Sequence, residues 1–231
     1  MTETVFLKDV DELSNRAASI IEESIGKLLL NQNKVIVAVP GGRSVERIFN
    51  HLKEKKISWE KVHMFMIDER LVTIDDPESN FRLAKESFLG ELIDNKVLPK
   101  ENVHPFIVDS GITNYEKELM SNGGEYDIIL LSSGEDGHVG ALYPEHDSIK
   151  NDSDFFISMD NSPKPPPNRM SASLKLLTNA KVAILLFFGE GKKDAYRKFL
   201  DKDIDVSLCP AKLVLSIKDS YVLTDIEGLG K

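Results

Sequence analysis

Six short apolar runs punctuate the chain: "KVIVAV" (34–39), "VHMFMI" (62–67), "YDIILL" (126–131), "FFISM" (155–159), "KVAILLFF" (181–188) and "KLVLSI" (212–217). They are nearly continuous rather than alternating, which predicts strands buried on both faces. Amphipathic stretches lie between them. Residues 10–29 space Val10, Leu13, Ala17, Ile20, Ile21, Ser24 and Leu28 at three- and four-residue steps, and "VERIFNHL" puts Val45, Ile48, Phe49 and Leu52 on one helical face. "SNFRLAKESFL" (79–89), "TNYEKELM" and "GKKDAYRKFL" also read as helices, the second opening with Thr113 and Glu116 at capping-box spacing. Buried strands alternating with helices predict an α/β fold, a mainly parallel sheet flanked by helices.

The unusual residues cluster just past the predicted strands. "PGGRS" follows 34–39, "DER" follows 62–67, "GEDGH" follows 126–131, "SPKPPPNR" follows 155–159 and "GEGKK" follows 181–188. In a parallel sheet those ends share one edge, where open α/β folds bind ligands. The length of 231 residues fits one domain, 1–231, without internal repeats. The proline segment (162–169) is too short for a linker and reads as a stiff loop beside the site.

Each motif suggests a chemistry. A glycine turn opening a helix makes an anion site, so Gly41 and Gly42 with Arg43 and Ser44 form a candidate phosphate cradle. The Walker lysine pattern and the full dinucleotide fingerprint are absent. Asp68, Glu69 and Arg70, taken alone, read as an ion pair at a helix entrance. Lys192 near a helix start opposes the helix dipole, which an anionic ligand would offset. In "GEDGH", His138 can exchange a proton near neutral pH, and Gly134 and Gly137 leave room for a ligand. A metal set of Asp136, His138 and His146 is disfavoured because the usual close ligand pairing is missing. A nucleophilic Ser132 or Ser133 is disfavoured because Leu131 stands where an elbow glycine would. His51, His63, His104 and His146 read as structural or exposed.

The net charge of −9 argues against a nucleic-acid binder, though a local Arg/Lys cluster can still hold a small anion. A lone cysteine, Cys209, excludes an internal disulfide and fits a reducing, cytoplasmic setting. The N-terminus lacks signal-peptide character, and no apolar run approaches the ~20 residues that span a bilayer.

"VPGGRSVERIF", "DERLVTIDDPESNFRLAKESFL", "SSGEDGHVGALYPEH", "SPKPPPNRMSASL" and "GEGKKDA" resemble, in order, the blocks of the 6-phosphogluconolactonases, from position 39 to about 195. The resemblance implies hydrolysis of 6-phosphoglucono-δ-lactone to 6-phosphogluconate, the second step of the oxidative pentose phosphate pathway. It implies a cytosolic enzyme without metal or cofactor, and a Rossmann-like fold shared with glucosamine-6-phosphate deaminase. That deaminase carries a glutamate five positions after its histidine; here Tyr143 stands there, as an aromatic does in the lactonases. The chain departs from the family in places. Arg43 replaces a small hydroxyl residue, Ser132 a glycine, "GAL" (140–142) replaces A-S-L, and Lys212 a serine.

Lactone hydrolysis needs one base and an oxyanion site. His138 is then the general base, Asp136 its orienting partner, and Asp68 a holder of a sugar hydroxyl or water. Arg43, Ser44 and Lys192 form the phosphate set, and Arg70 and Arg169 add charge for the phosphate or the nascent carboxylate. Amides near Gly134 or the 41–42 turn are oxyanion candidates. The expected partner is a small phosphosugar lactone, with no nucleic acid and no membrane. The oligomeric state stays open, a monomer included. A non-catalytic sugar-phosphate sensor is the alternative, but His138 and Asp68 are both present.

Overall fold

The computed structural model describes residues 2–227. In chain order its regular elements are β1 (Thr2–Phe6), α1 (Val10–Leu28), β2 (Val35–Val39), α2 (Arg43–Lys53), β3 (Val62–Met66), β4 (Asp68–Arg70), α3 (Asn80–Ala84), α4 (Gly90–Asp94) and β5 (Val103–His104). Then follow α5 (Gly111–Asn122), β6 (Ile128–Ser132), α6 (Asp147–Lys150), β7 (Phe156–Met159), β8 (Arg169–Ala172), α7 (Leu174–Thr178), β9 (Val182–Phe187), α8 (Lys193–Leu200) and β10 (Asp219–Thr224). A seven-stranded sheet runs β1-β10-β9-β6-β2-β3-β5, and its pairs are parallel.

The continuous apolar runs are explained by burial on both faces. In β2, Val35, Val37 and Val39 join one core with Leu13, Ile20 and Ile21 of α1 and Phe49 of α2. Ile36 and Ala38 point the other way, into a core with Tyr115 of α5 and Leu176 of α7. β6 and β9 split in the same manner. Each such buried aliphatic side chain contributes roughly 1.5–3 kcal/mol over leaving it in water. Between β6 and β3, β2 is the point where strand order reverses, so the loops after β2 and β6 diverge there and open a crevice.

Three expectations are corrected. The run at 155–159 is β7, but it lies in a separate antiparallel sheet, β4-β8-β7, joined to β8 by the proline loop. The run at 212–217 is no strand; Pro210–Ser216 forms a 3₁₀ helix. Pro210 cannot donate to a ladder, and the buried residues Pro210, Ala211, Leu213, Val214 and Ile217 follow helical rather than alternate spacing. The terminal strand is β10, and β1, too mixed in composition to stand out, pairs beside it. The Thr113/Glu116 box does not start its helix, because α5 already begins at Gly111.

Candidate functional site

The loop after β6 is fastened at several points. Ser133 N–H donates to Leu186 O (3.0 Å), Gly134 N–H to His138 O (2.7 Å) and Ala211 N–H to Gly137 O (2.9 Å). Within this loop His138 Nδ1 meets Asp136 Oδ1 at 2.5 Å, and His138 N–H donates to the same oxygen at 3.2 Å. Burial pushes the Asp136 carboxyl up, but the hydrogen bond and charge of His138 outweigh it and hold the group well below the usual carboxylate range. An ionised carboxylate only accepts, so in the neutral imidazole this contact places the proton on Nδ1 and leaves the lone pair on Nε2. The Tyr143 ring lies beside the imidazole, with centroids 4.8 Å apart. Gly134 is required for space: a Cβ there would sit 2.1 Å from His138 Nδ1. Because its N–H is spent on His138 O, Gly134 is withdrawn as an oxyanion donor.

The second wall comes from the small antiparallel sheet. Its register sets Asp68 opposite Ser171 and Arg70 opposite Arg169. Side chains two apart share a face, so Asp68, Arg70, Arg169 and Ser171 lie on one side and Glu69 on the other. Arg169 Nη1 stands 3.9 Å from Asp68 Oδ2, with side chains only 6% and 8% exposed. Burial raises the Asp68 carboxyl; Arg169, Arg70, His138 and Asn80 pull it down without cancelling the rise.

Glu69 is a structural carboxylate rather than half of an ion pair. It accepts from the amides of Arg70 (2.8 Å), Asn80 (2.7 Å) and Phe81 (2.8 Å) and from Ser79 Oγ (3.1 Å). This ties β4 to the start of α3. Asn80, so fixed, donates to Asp68 O at 2.9 Å. Its Oδ1 occupies the space a Cβ on Gly41 would need, 1.9 Å away.

The third wall is the start of α2. Gly42 (φ +96°) turns the chain into this helix, whose first turn carries no side-chain cap. Lys192, on the loop after β9, stands at the N-cap position of α8 without a side-chain capping bond. Burial lowers the Lys192 ammonium pKa, with Glu135 and Asp136 opposing that effect and Lys164 and Arg43 adding to it. A partly desolvated cation among other cations gives this wall the electrostatics suited to an anion.

The three walls enclose one cavity of about 850 Å³. Gly41, Gly42, Arg43, Ser44, Asp68, Arg70, His138, Arg169 and Lys192 line it, while Asp136 stands behind His138. Among the described residues, no three or more His, Cys, Asp or Glu side chains form a metal-binding group. His146 instead uses Nδ1 to accept from Ser148 N–H at 3.1 Å, at the start of α6.

The family model described as glucosamine-6-phosphate isomerases/6-phosphogluconolactonase matches residues 8–223. The chain belongs to this family. A 6-phosphogluconolactonase of Borreliella burgdorferi is 31% identical over 196 residues, covering 83% of each chain. The crystal structure of 6-phosphogluconolactonase from Thermotoga maritima superposes with a TM-score of 0.83 at 26% identity, covering 97% of this chain and 99% of that one. A monomeric glucosamine-6-phosphate deaminase shares the fold, with a TM-score of 0.78 at 20% identity over 96% of both chains.

Among the polar and charged side chains lining the cavity, Arg47, Asn80, Glu135 and Lys164 were not singled out for the site from sequence. Arg47 was legible in principle, because it stands four residues after Arg43 on α2 and so shares its face. Lys164 lies within the proline segment that was expected to flank the site. Tyr143, read only as a marker against the deaminase, also lines the cavity. Its hydroxyl accepts from Ser162 Oγ at 2.9 Å, connecting the loop after β6 to the proline loop. No described helix is long and apolar enough to cross a membrane.

Proposed function

We propose that the chain hydrolyses 6-phosphoglucono-δ-lactone to 6-phosphogluconate in the oxidative pentose phosphate pathway, with His138 activating the water. The observation that carries this reading is the Asp136–His138 contact of 2.5 Å beside a cation-lined cavity. It supplies a base with its proton on the far nitrogen and a place for a phosphate. Water attacks C1 of the lactone and gives a proton to His138 Nε2, while the carbonyl oxygen takes up negative charge. When the carbonyl re-forms, the bond from C1 to the ring oxygen breaks, and that oxygen takes the proton back from His138. The carboxylic acid then ionises and releases one proton to solvent, so the step balances without an external reductant or oxidant. One residue thus serves in turn as base and acid.

Arg43, Ser44, Arg47 and Lys192, together with the first turn of α2, anchor the phosphate. Asp68 positions a sugar hydroxyl. A reducing cytoplasmic setting agrees with a free, buried Cys209. The test is turnover of freshly generated lactone, read as acid release above the spontaneous rate, beside ammonia release from glucosamine 6-phosphate. Enhanced acid release without ammonia supports the lactonase. Ammonia release would put the deaminase in its place, and sugar-phosphate binding without either reaction would make the chain a sensor.

A further inference from the structure

We propose that Arg169 receives the negative charge that forms at C1, so that the cavity has two anion-binding poles, one for phosphate and one for the nascent carboxylate. The inference rests on the lactonase reading and assigns a catalytic role within it.

The guanidinium of Arg169 is held from behind. Nε donates to Pro166 O at 2.9 Å and Nη2 to Pro165 O at 2.8 Å. The fork is rigid and planar, so these two bonds also fix the direction of Nη1. Nη1 makes no hydrogen bond among the described residues; its nearest acidic group is Asp68 Oδ2 at 3.9 Å, beyond hydrogen-bond reach. Arg169 therefore brings to the cavity an aimed donor that needs no reorganisation when charge appears. In Arg70, directly across the strand pair, Nη1 is already engaged, since it bonds Glu78 O and lies 3.8 Å from the Glu78 carboxylate.

The cations come from two parts of the fold. Arg43 and Arg47 lie on α2 and Lys192 at the entry to α8, each following a strand of the parallel sheet. Arg70 and Arg169 face each other across the small antiparallel sheet. His138, bonded to Asp136, lies on the loop after β6 and lines the same cavity. The substrate has a matching polarity, with phosphate at C6 and the reacting carbonyl at C1. Phosphate at the Lys192 pole leaves C1 toward His138 and Arg169. Asp68 also explains why the second pole is no trap. The transient oxyanion carries charge on one oxygen that Nη1 can face directly, whereas the product carboxylate must share Arg169 with the Asp68 carboxylate. Such differential binding is what accelerates a reaction.

The experiment compares two ligands by titration calorimetry. 6-Phosphogluconate has the phosphate and a C1 carboxylate; glucitol 6-phosphate has the same phosphate and a C1 alcohol. The wild type is expected to prefer the carboxylate by roughly 10-fold, at the low end for one charge-assisted hydrogen bond because Asp68 opposes it. In Arg169→Gln the preference is expected to vanish while glucitol 6-phosphate binds as before, and kcat falls with KM little changed. Arg169→Lys keeps the charge but not the fork, and should lose most of the kcat while retaining part of the preference. Equal weakening of both ligands would assign Arg169 to the phosphate or to holding the proline loop, and would overturn the proposal. A wild-type ratio near one would overturn it without any variant, and so covers the case in which neither variant folds. Failure of the wild type to bind either ligand or to hydrolyse the lactone would instead sink the lactonase reading.

Discussion

Asp136 Oδ1 stands 2.5 Å from His138 Nδ1, two residues away in the same loop, and accepts the His138 backbone amide as well. One carboxylate oxygen thereby sets both the ring tautomer and the backbone turn that presents the ring. Asp136→Asn keeps the shape but offers an amide that can donate to Nδ1 and move the proton to Nε2. The expected result is a fall in kcat on the order of 10²–10⁴-fold with near-normal binding of 6-phosphogluconate. Steady-state kinetics and calorimetry on the same preparation check it; unchanged kcat would remove Asp136 as the orienting group.

Gly134 has no side chain because His138 occupies that space. A methyl group there would lie 2.1 Å from the ring and 2.7 Å from Asp136 Oδ1. Since His138 lies at the cavity surface, its ring can yield outward without unfolding the chain. Gly134→Ala should therefore lower kcat by about 10²-fold or more, the scale of losing a positioned base, with little change in Tm. A large drop in Tm with residual kcat intact would place the role of this glycine in the fold instead.

How far the sequence carried the argument depended on how local each cause was. β2, β6 and β9 were legible because burial on both faces writes an unbroken apolar run. The 210–216 segment was not, because apolar content alone does not separate a short helical turn from a strand, and only Pro210 argued against pairing. The convergence of Arg43, His138 and Lys192 followed from parallel strand ends. The part played by Glu69 was illegible, since three of its four donors lie ten to twelve residues away, on Ser79, Asn80 and Phe81. Arg169 was read as a charge, but the carbonyls that aim it belong to a loop whose path the sequence does not reveal.

Glu69 yields a stability prediction. Glu69→Gln removes one acceptor oxygen and turns an amide N–H₂ toward backbone N–H donors. Each buried donor left without an acceptor costs ~1–3 kcal/mol, and for a chain of this size a loss of 2 kcal/mol moves Tm by roughly 4–8 °C. Thermal unfolding of the variant should show at least that shift. A variant as stable as the wild type would contradict the account of how β4 is tied to α3.

Lys192 should separate phosphorylated from unphosphorylated substrates. Lys192→Ala is expected to raise KM for the phosphorylated lactone roughly 10- to 150-fold, the worth of one charge-assisted bond, and to leave glucono-δ-lactone hydrolysis nearly unchanged. Burial lowers the Lys192 pKa, so its charge is lost as pH rises through that lowered value. The kcat/KM for the phosphorylated lactone should fall on the alkaline side below the ordinary lysine value of about 10.4, and Lys192→Arg should move that limb upward. Equal losses on both lactones would take Lys192 out of the phosphate site.

The most direct test of the account is the rate of lactone hydrolysis by His138→Ala, corrected for spontaneous ring opening, with 6-phosphogluconate binding measured in parallel. General-base catalysis by His138 predicts a fall in kcat on the order of 10²–10⁴-fold and product affinity within about threefold of wild type, which is under 1 kcal/mol. Near-wild-type turnover with the imidazole gone would contradict it.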